Sequence, residues 1–235
     1  MNHGIKSLLA TLVVSLSLAA PVLAGPYEEG MAAFSRNDYA TALRLMRPLA
    51  EQGHRRSQFM VGWFYASSYK YGDGVPQDYA KAAKWYRKAA EQGFGAAQLE
   101  IGVLYNNGQG VPQDYAKAAK WYRKAAEQGN SRAQFNLGNS YLRGEGVPQD
   151  ITEAVKLYRR SAKQGDNKGQ GALGMMYLDG EGVPQDFVEA HKWFNLSTSQ
   201  GNKNSATLRD VTAKKMTPAQ IAEAQRLARE WKPKK

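Results

Sequence analysis

The sequence contains no cysteine. That removes disulfides, thiolate metal ligands and a lipid-modified cysteine, and leaves apolar packing to hold the fold. Histidine is nearly as scarce, with only His54 and His191 beyond the first residues. No stretch after residue 24 is apolar for long enough to cross a bilayer as a helix. Acidic residues are in deficit too, 21 against 32 lysines and arginines, for a formal net charge of +11. A balance of that sign makes nucleic acid, an acidic glycan or an anionic membrane a partner to weigh.

The first residues do have an apolar run. Lys6 precedes the run Leu8 to Ala20, and Val22-Leu23-Ala24 follows it. A basic start, a short apolar core and small or apolar residues before a cleavage point describe a secretory signal peptide. The run is short for a retained membrane anchor, which is the alternative. Residues 1–24 are therefore expected to be removed, leaving a chain that starts at Gly25 in the periplasm or outside the cell.

What remains is periodic. Val-Pro-Gln-Asp begins at Val75, Val111, Val147 and Val183, in steps of 36 residues. Gln-Gly recurs in the same step at Gly93, Gly129, Gly165 and Gly201, with an earlier copy at Gly53. That first interval is 40 residues long, and the extra four fall between Gly62 and Tyr69. Val75–Gly93 and Val111–Gly129 are identical letter for letter. A fixed period of this size marks an array of stacked units.

Each unit reads as two helices. Asp78 is placed to cap the second, and Tyr79, Ala82, Ala83, Tyr86, Ala89 and Ala90 form one stripe at helical spacing. Glu153 and Glu189, three residues after Asp150 and Asp186, complete the pattern of a capping box. Gly93 can end the helix in the left-handed conformation. The first helix is seen in Ala97–Tyr105, where Gly102 recurs as Gly62, Gly138 and Gly174. A glycine inside a helix costs about 0.5–1 kcal/mol relative to alanine. Its recurrence at one position implies a neighbour too close for a side chain.

The string of a small residue, Gly, Tyr, Gly-x-Gly-Val-Pro-x-Asp, Ala, Trp-Tyr-x-x-Ala-Ala and Gly resembles the Sel-one-like repeat (SLR), a relative of the tetratricopeptide repeat. The resemblance divides the chain into units at 54–93, 94–129, 130–165 and 166–201. Residues 25–53 resemble a degenerate tetratricopeptide-like opening unit, with a short Arg36-Asn37 turn in place of the long loop. It implies an all-α fold, a right-handed superhelix of antiparallel helix pairs with a concave face. Residues 202–235 depart from the repeat. Thr217-Pro-Ala-Gln220 forms a capping box, and Ile221, Ala224, Leu227, Ala228 and Trp231 form a stripe. This is expected to be a helical cap over the last exposed face, as repeat arrays require.

Residues for catalysis are hard to find. Asp78, Asp114, Asp150 and Asp186 belong to separate units, on the order of 9–10 Å or more apart, which suits caps better than a carboxylate pair or a metal cage. The Gly-x-Gly loops lack the Lys-Ser/Thr of a phosphate loop and follow helices. His191 replaces Ala83 on the apolar stripe and reads as a core residue, while His54 begins a helix and is expected to be exposed. Trp85, Trp121 and Trp193 align with Leu45 and Leu157, an exchange that core positions tolerate. Some cysteine-rich relatives are implicated in β-lactam binding or hydrolysis, but this chain has neither their cysteines nor a Ser-x-x-Lys motif. No enzyme activity, cofactor or metal is expected.

Most of the positive charge repeats. Each identical segment carries four cations, Lys81, Lys84, Arg87 and Lys88 in the first copy, against Asp78 and Glu91. They lie opposite the apolar stripe, as on a solvated outer face, or as a basic surface for an anionic polymer or membrane. The first helices vary instead at two positions seven residues apart, which share one face. One reads Arg56, Ala96, Arg132, Lys168 and the other Trp63, Val103, Asn139, Met175. In tetratricopeptide-like stacking such positions line the concave surface. Arg56, Trp63, Arg132, Asn139, Lys168 and Met175 are therefore the expected partner-binding residues of a protein-interaction scaffold. The expected ligand is an extended acidic polypeptide, with Trp63 as its apolar anchor.

Overall fold

The computed structural model describes residues 25–67 and 76–233. The expected signal peptide, Val75 and part of the four-residue insertion lie outside them. The described residues form twelve α-helices and no strand. The first five pairs are α1 (Pro26–Ser35) with α2 (Tyr39–Glu51), α3 (Arg55–Ser67) with α4 (Tyr79–Glu91), α5 (Gly95–Asn107) with α6 (Tyr115–Glu127), α7 (Ser131–Arg143) with α8 (Ile151–Lys163), and α9 (Asn167–Asp179) with α10 (Phe187–Ser199). After them come α11 (Lys203–Ala213) and α12 (Pro218–Glu230). Each helix packs on the next through α11, which makes an α-α solenoid of stacked pairs.

The expected caps form. The carboxylates of Asp78, Asp114, Asp150 and Asp186 accept from the backbone N–H three residues on, at 2.9, 2.8, 2.9 and 3.0 Å. That backbone bond is the main reason the carboxyls of Asp78 and Asp114 are held below the ordinary range. The capping boxes at Glu153 and Glu189 do not form. The N–H groups they would accept from, on Asp150 and Asp186, already donate to the carbonyls of Tyr141 and Tyr177 at 3.0 and 2.9 Å. Glu153 pairs with Lys156 instead, and Glu189 takes Lys192 and the Trp193 indole N–H. The box at Thr217 and Gln220 is present.

The glycine row of the first helices answers to an aromatic row on the second. A Cβ on Gly62, Gly102, Gly138 or Gly174 would lie 2.6–2.7 Å from the ring of Tyr86, Tyr122, Tyr158 or Phe194. Each unit thus closes on itself by seating a ring where a side chain would otherwise stand. The Gly-x-Gly loops do more than link. At Gly110 and Gly146 the backbone is left-handed and lies against the backbone of Tyr79 and Tyr115 in the preceding unit, with no room for a Cβ.

Glutamines hold one unit to the next. The side-chain amides of Gln58, Gln98, Gln134 and Gln170 donate to the carbonyls of Ala50, Ala90, Ala126 and Ala162 at the end of the preceding second helix. Their oxygens accept from Gln92, Gln128, Gln164 and Gln200, at 2.7–2.9 Å. Each of these carbonyls also accepts the N–H of the glycine three residues on, so the glutamine adds a second bond across the interface, where a net hydrogen bond contributes about 1 kcal/mol. A second series runs from Arg47, Arg87, Arg123 and Arg159 to the hydroxyls of Tyr65, Tyr105, Tyr141 and Tyr177 in the following unit.

Residues 202–235 fold as α11 and α12, which both pack on α10, the last helix of the repeats. α12 packs against α10, with Ala224 buried and the Trp231 ring 6.0 Å from that of Trp193. α11 keeps its far side open, and Val211 there is 43% exposed. The stripe of α12 is matched to the tryptophan at the end of the second-helix row, and the chain seals that flank.

Candidate functional site

Two observations separate the faces of the array. α7 and α9 pack directly on one another, and no two of α4, α6, α8 and α10 come together so closely. The first helices therefore form the inner row. The second helices form the outer row, where Lys84, Lys88, Lys120 and Lys124 are exposed. Lys88 and Lys124 lie over the half-buried rings of Trp85 and Trp121, 4.6 and 4.7 Å from the ring centres. These tryptophans cover the flank of the core and leave no flat platform open.

Along α7, α9 and α11 the inner row opens into a groove of about 760 Å³. Asn139, Lys168 and Met175 line it together with Phe135, Leu142 and Leu208. Met175 is 41% exposed. Asn139 accepts a 2.7 Å hydrogen bond from the Tyr158 hydroxyl, which fixes the amide and leaves its N–H groups toward the groove. Beside the groove is a smaller, more enclosed cavity of about 270 Å³, lined by Val103, Asn106, Tyr122, Arg132, Asn136 and Lys168, among others. Phe135 and Lys168 border both. Burial keeps the Tyr122 phenol far above its ordinary pKa, so it stays a neutral donor. Glu100 stands within electrostatic reach. Its burial raises its pKa, and Arg132 works the other way.

Four of the six residues expected to bind a partner, Arg132, Asn139, Lys168 and Met175, are thus gathered on adjoining cavities. Arg56 is not. It lies at the N-terminal end, lining a separate hollow with Tyr27 and His54. Trp63 stands apart from the four as well. It is half-buried among aromatic rings, edge-on to Phe34 at 5.1 Å and to Phe64 at 5.5 Å, with Tyr39 at 5.9 Å. The ring fills part of the space between α1 and α3, away from the adjoining cavities that gather the other four.

Phe135, Asn136, Leu208 and Glu100 were not singled out by the comparison of units. Glu100, Asn136 and Leu208 share one register at intervals of 36 and 72 residues, so the period could have found them. The same period carries the Met175 position to Val211.

The histidines behave as packing residues. His191 is buried, its Nδ1 lies 3.0 Å from the Asn195 amide, and burial lowers its pKa. His54 is exposed just before α3, 2.8 Å from the Ser57 hydroxyl. Among the described residues, no group of three acidic, histidine or cysteine side chains is arranged to hold a metal, and no helix is long and apolar enough to cross a membrane.

A profile of the Sel1 repeat matches residues 23–54, 55–94, 95–130, 131–166 and 168–202. The chain belongs to the Sel1 repeat family. The opening unit, expected as a degenerate tetratricopeptide-like pair, is thus matched as a Sel1 repeat as well. Among solved structures, a protective antigen of uropathogenic Escherichia coli with an SLR fold is 34% identical over 88% of this chain, with a TM-score of 0.81. This chain spans 44% of that antigen's length. A Sel1 repeat protein from Oxalobacter formigenes is 29% identical, with a TM-score of 0.74, and the match covers 89% of this chain and 86% of the other. An immunity protein from Pseudomonas aeruginosa, 19% identical with a TM-score of 0.53, shares the fold; that match covers 86% of this chain and 79% of the other. A search of curated proteins gave no match. Sel1 repeat proteins are typically scaffolds for protein interaction.

Proposed function

We propose that the protein is an exported, non-catalytic scaffold that holds a protein or peptide partner in the groove of its inner helix row. The observation that carries this reading is the contrast between the two rows. On the outer row α4 and α6 are identical, and their lysines are engaged with cap aspartates and tryptophan rings. The inner row changes chemistry between units and exposes apolar area, with Met175 at 41% exposure beside Lys168 and Asn139. A buried apolar centre with polar groups around it is how protein interfaces are usually built. Export rests on the basic start, the short apolar run and the Val22-Leu23-Ala24 cleavage pattern.

The test uses three baits: the purified protein, a groove variant (Lys168→Ala with Met175→Ala) and an outer variant (Lys84→Glu with Lys120→Glu). A partner retained by the first and third and lost by the second supports the groove. Loss with the outer variant alone moves the site to the basic outer face and points to an anionic polymer or membrane. N-terminal sequencing of exported protein is expected to begin at Gly25; an intact Met1 on exported protein overturns the cleavage.

A further inference from the structure

The two adjoining cavities differ in chemistry. The larger is walled by Phe135, Leu142, Met175 and Leu208. The smaller is polar and presents Arg132 and Lys168 from adjacent helices, with Asn136 between them in the sequence. Among the described residues, no carboxylate lies within ion-pairing distance of Arg132 or Lys168. Several cations of the outer row have other work. Lys81 and Lys117 pair with cap aspartates, Lys88 and Lys124 cover tryptophans, and Arg87 and Arg123 bind tyrosine hydroxyls. Arg132 and Lys168 instead line a shared, partly enclosed cavity. Enclosure strengthens a charge-assisted hydrogen bond, because water competes less for the donors.

We infer that the smaller cavity is a receptor for one carboxylate side chain of an extended polypeptide, whose neighbouring apolar side chain lies in the larger groove on Met175 and Phe135. This deepens the reading of the groove as a partner site and rests on it. Lys168 and Phe135 border both cavities, so one segment can reach both without leaving the surface. Arg132 and Lys168 bind the carboxylate oxygens, and Asn136 supplies a further amide donor. The site selects an aspartate or glutamate beside a bulky apolar residue, with no general preference for polyanions.

Fluorescence polarisation with the purified protein tests this. The probes are acetylated and amidated dodecapeptides in a Gly/Ser background, each with one Glu and with one Leu placed two to five residues away. Matched probes carry Gln for Glu. At least one Glu–Leu spacing is expected to bind ten-fold or more tightly than its Gln counterpart. Arg132→Ala with Lys168→Ala should remove that difference, bringing the Glu probe's affinity to that of the Gln probe on the same variant. Both side chains are exposed, so folding should survive, and circular dichroism checks it. Equal binding of Glu and Gln probes overturns the carboxylate receptor; if Met175→Ala then weakens both, the groove itself stands as a partner site. Binding that requires a free chain end, lost on amidation, also overturns the side-chain assignment. A panel in which no probe binds the groove removes the inference, and the capture experiment with groove and outer variants then decides the broader reading separately.

Discussion

Helices α4 and α6 have the same thirteen residues, yet the first helices that follow them, α5 and α7, have little in common. The identical pair acts as an internal control. Both copies are capped by the same aspartate bond, both seat a tyrosine on a glycine, and both place a lysine over a tryptophan. What differs comes from the neighbours. Tyr79 is half-buried whereas its copy Tyr115 is exposed, and Ala90 is buried whereas Ala126 is only partly so. After α4 the chain continues with Phe94, which makes no side-chain cap. After α6 it continues with Asn130, which caps α7 through the Ala133 N–H. Local sequence therefore fixes the outer helix and its caps. The inner helix is where units acquire different surfaces, Ala96, Glu100 and Val103 in one and Arg132, Asn136 and Asn139 in the next.

If the shared parts hold the fold, breaking them should cost most. Gly138→Val puts a branched side chain where the Tyr158 ring sits, and Gly102→Val does the same at Tyr122. Each should destabilise by about 3 kcal/mol, at the upper end for overpacking, with similar losses in urea melts despite the different surfaces of the two units. Unequal losses would mean that the units are not equivalent scaffolds.

Trp63→Ala empties part of the aromatic cluster with Phe34, Tyr39 and Phe64. Full burial of such a ring would give about 3–5 kcal/mol; half-burial brings the expected loss to about 2 kcal/mol. An unchanged melting temperature would leave Trp63 available as an anchor. Gln98→Leu removes the amide bond to the Ala90 carbonyl, which keeps the Gly93 N–H, and the oxygen that accepts from Gln128, for an expected loss of about 1 kcal/mol. Gln128→Ala keeps the bond to Ala90 and should lose less.

The smallest effect concerns the inner row alone. Glu100 is raised by burial, opposed by Arg132 on α7, with the phenols of Tyr86 and Tyr122 facing it from α4 and α6. A carboxyl whose folded pKa is raised holds its proton more tightly in the folded state. Its contribution to stability is full below the unfolded value, near 4.5, and is lost as pH rises through the folded one. Glu100→Gln should therefore melt slightly higher than the parent at pH 7, and that advantage should disappear toward pH 4. A variant less stable at pH 7 would show that the Arg132 attraction outweighs burial.

Much of this was legible in the sequence. The period gave the units, Asp78 and its copies gave the caps, and the glycine row announced the close approach that Tyr86 and its copies make. The capping boxes at Glu153 and Glu189 were misread because the pattern does not reveal that a tyrosine carbonyl already holds the cap N–H. The aromatic neighbours of Trp63, Phe34 and Tyr39, come from the opening unit, outside the strict period, so the comparison of units does not show them. The placement of α12 depends on the Trp193–Trp231 contact, and the stripe of α12 alone does not say which face it meets. The register gathered Arg132, Asn139, Lys168 and Met175. It did not show that Arg132 faces a cavity distinct from that of Met175, since depth along the groove depends on how the helices tilt.

The identical helices permit one further measurement. Deleting the 36 residues from Gly93 to Gln128 joins Gln92 to Gly129, so that α4 meets α7 with the same residues α6 offered. If each unit depends only on its neighbours, the shortened protein keeps the helical circular dichroism of the parent per residue, unfolds in one cooperative step, and retains the groove along α7, α9 and α11. Loss of helical signal at room temperature, or unfolding in separate steps on either side of the junction, would contradict the account.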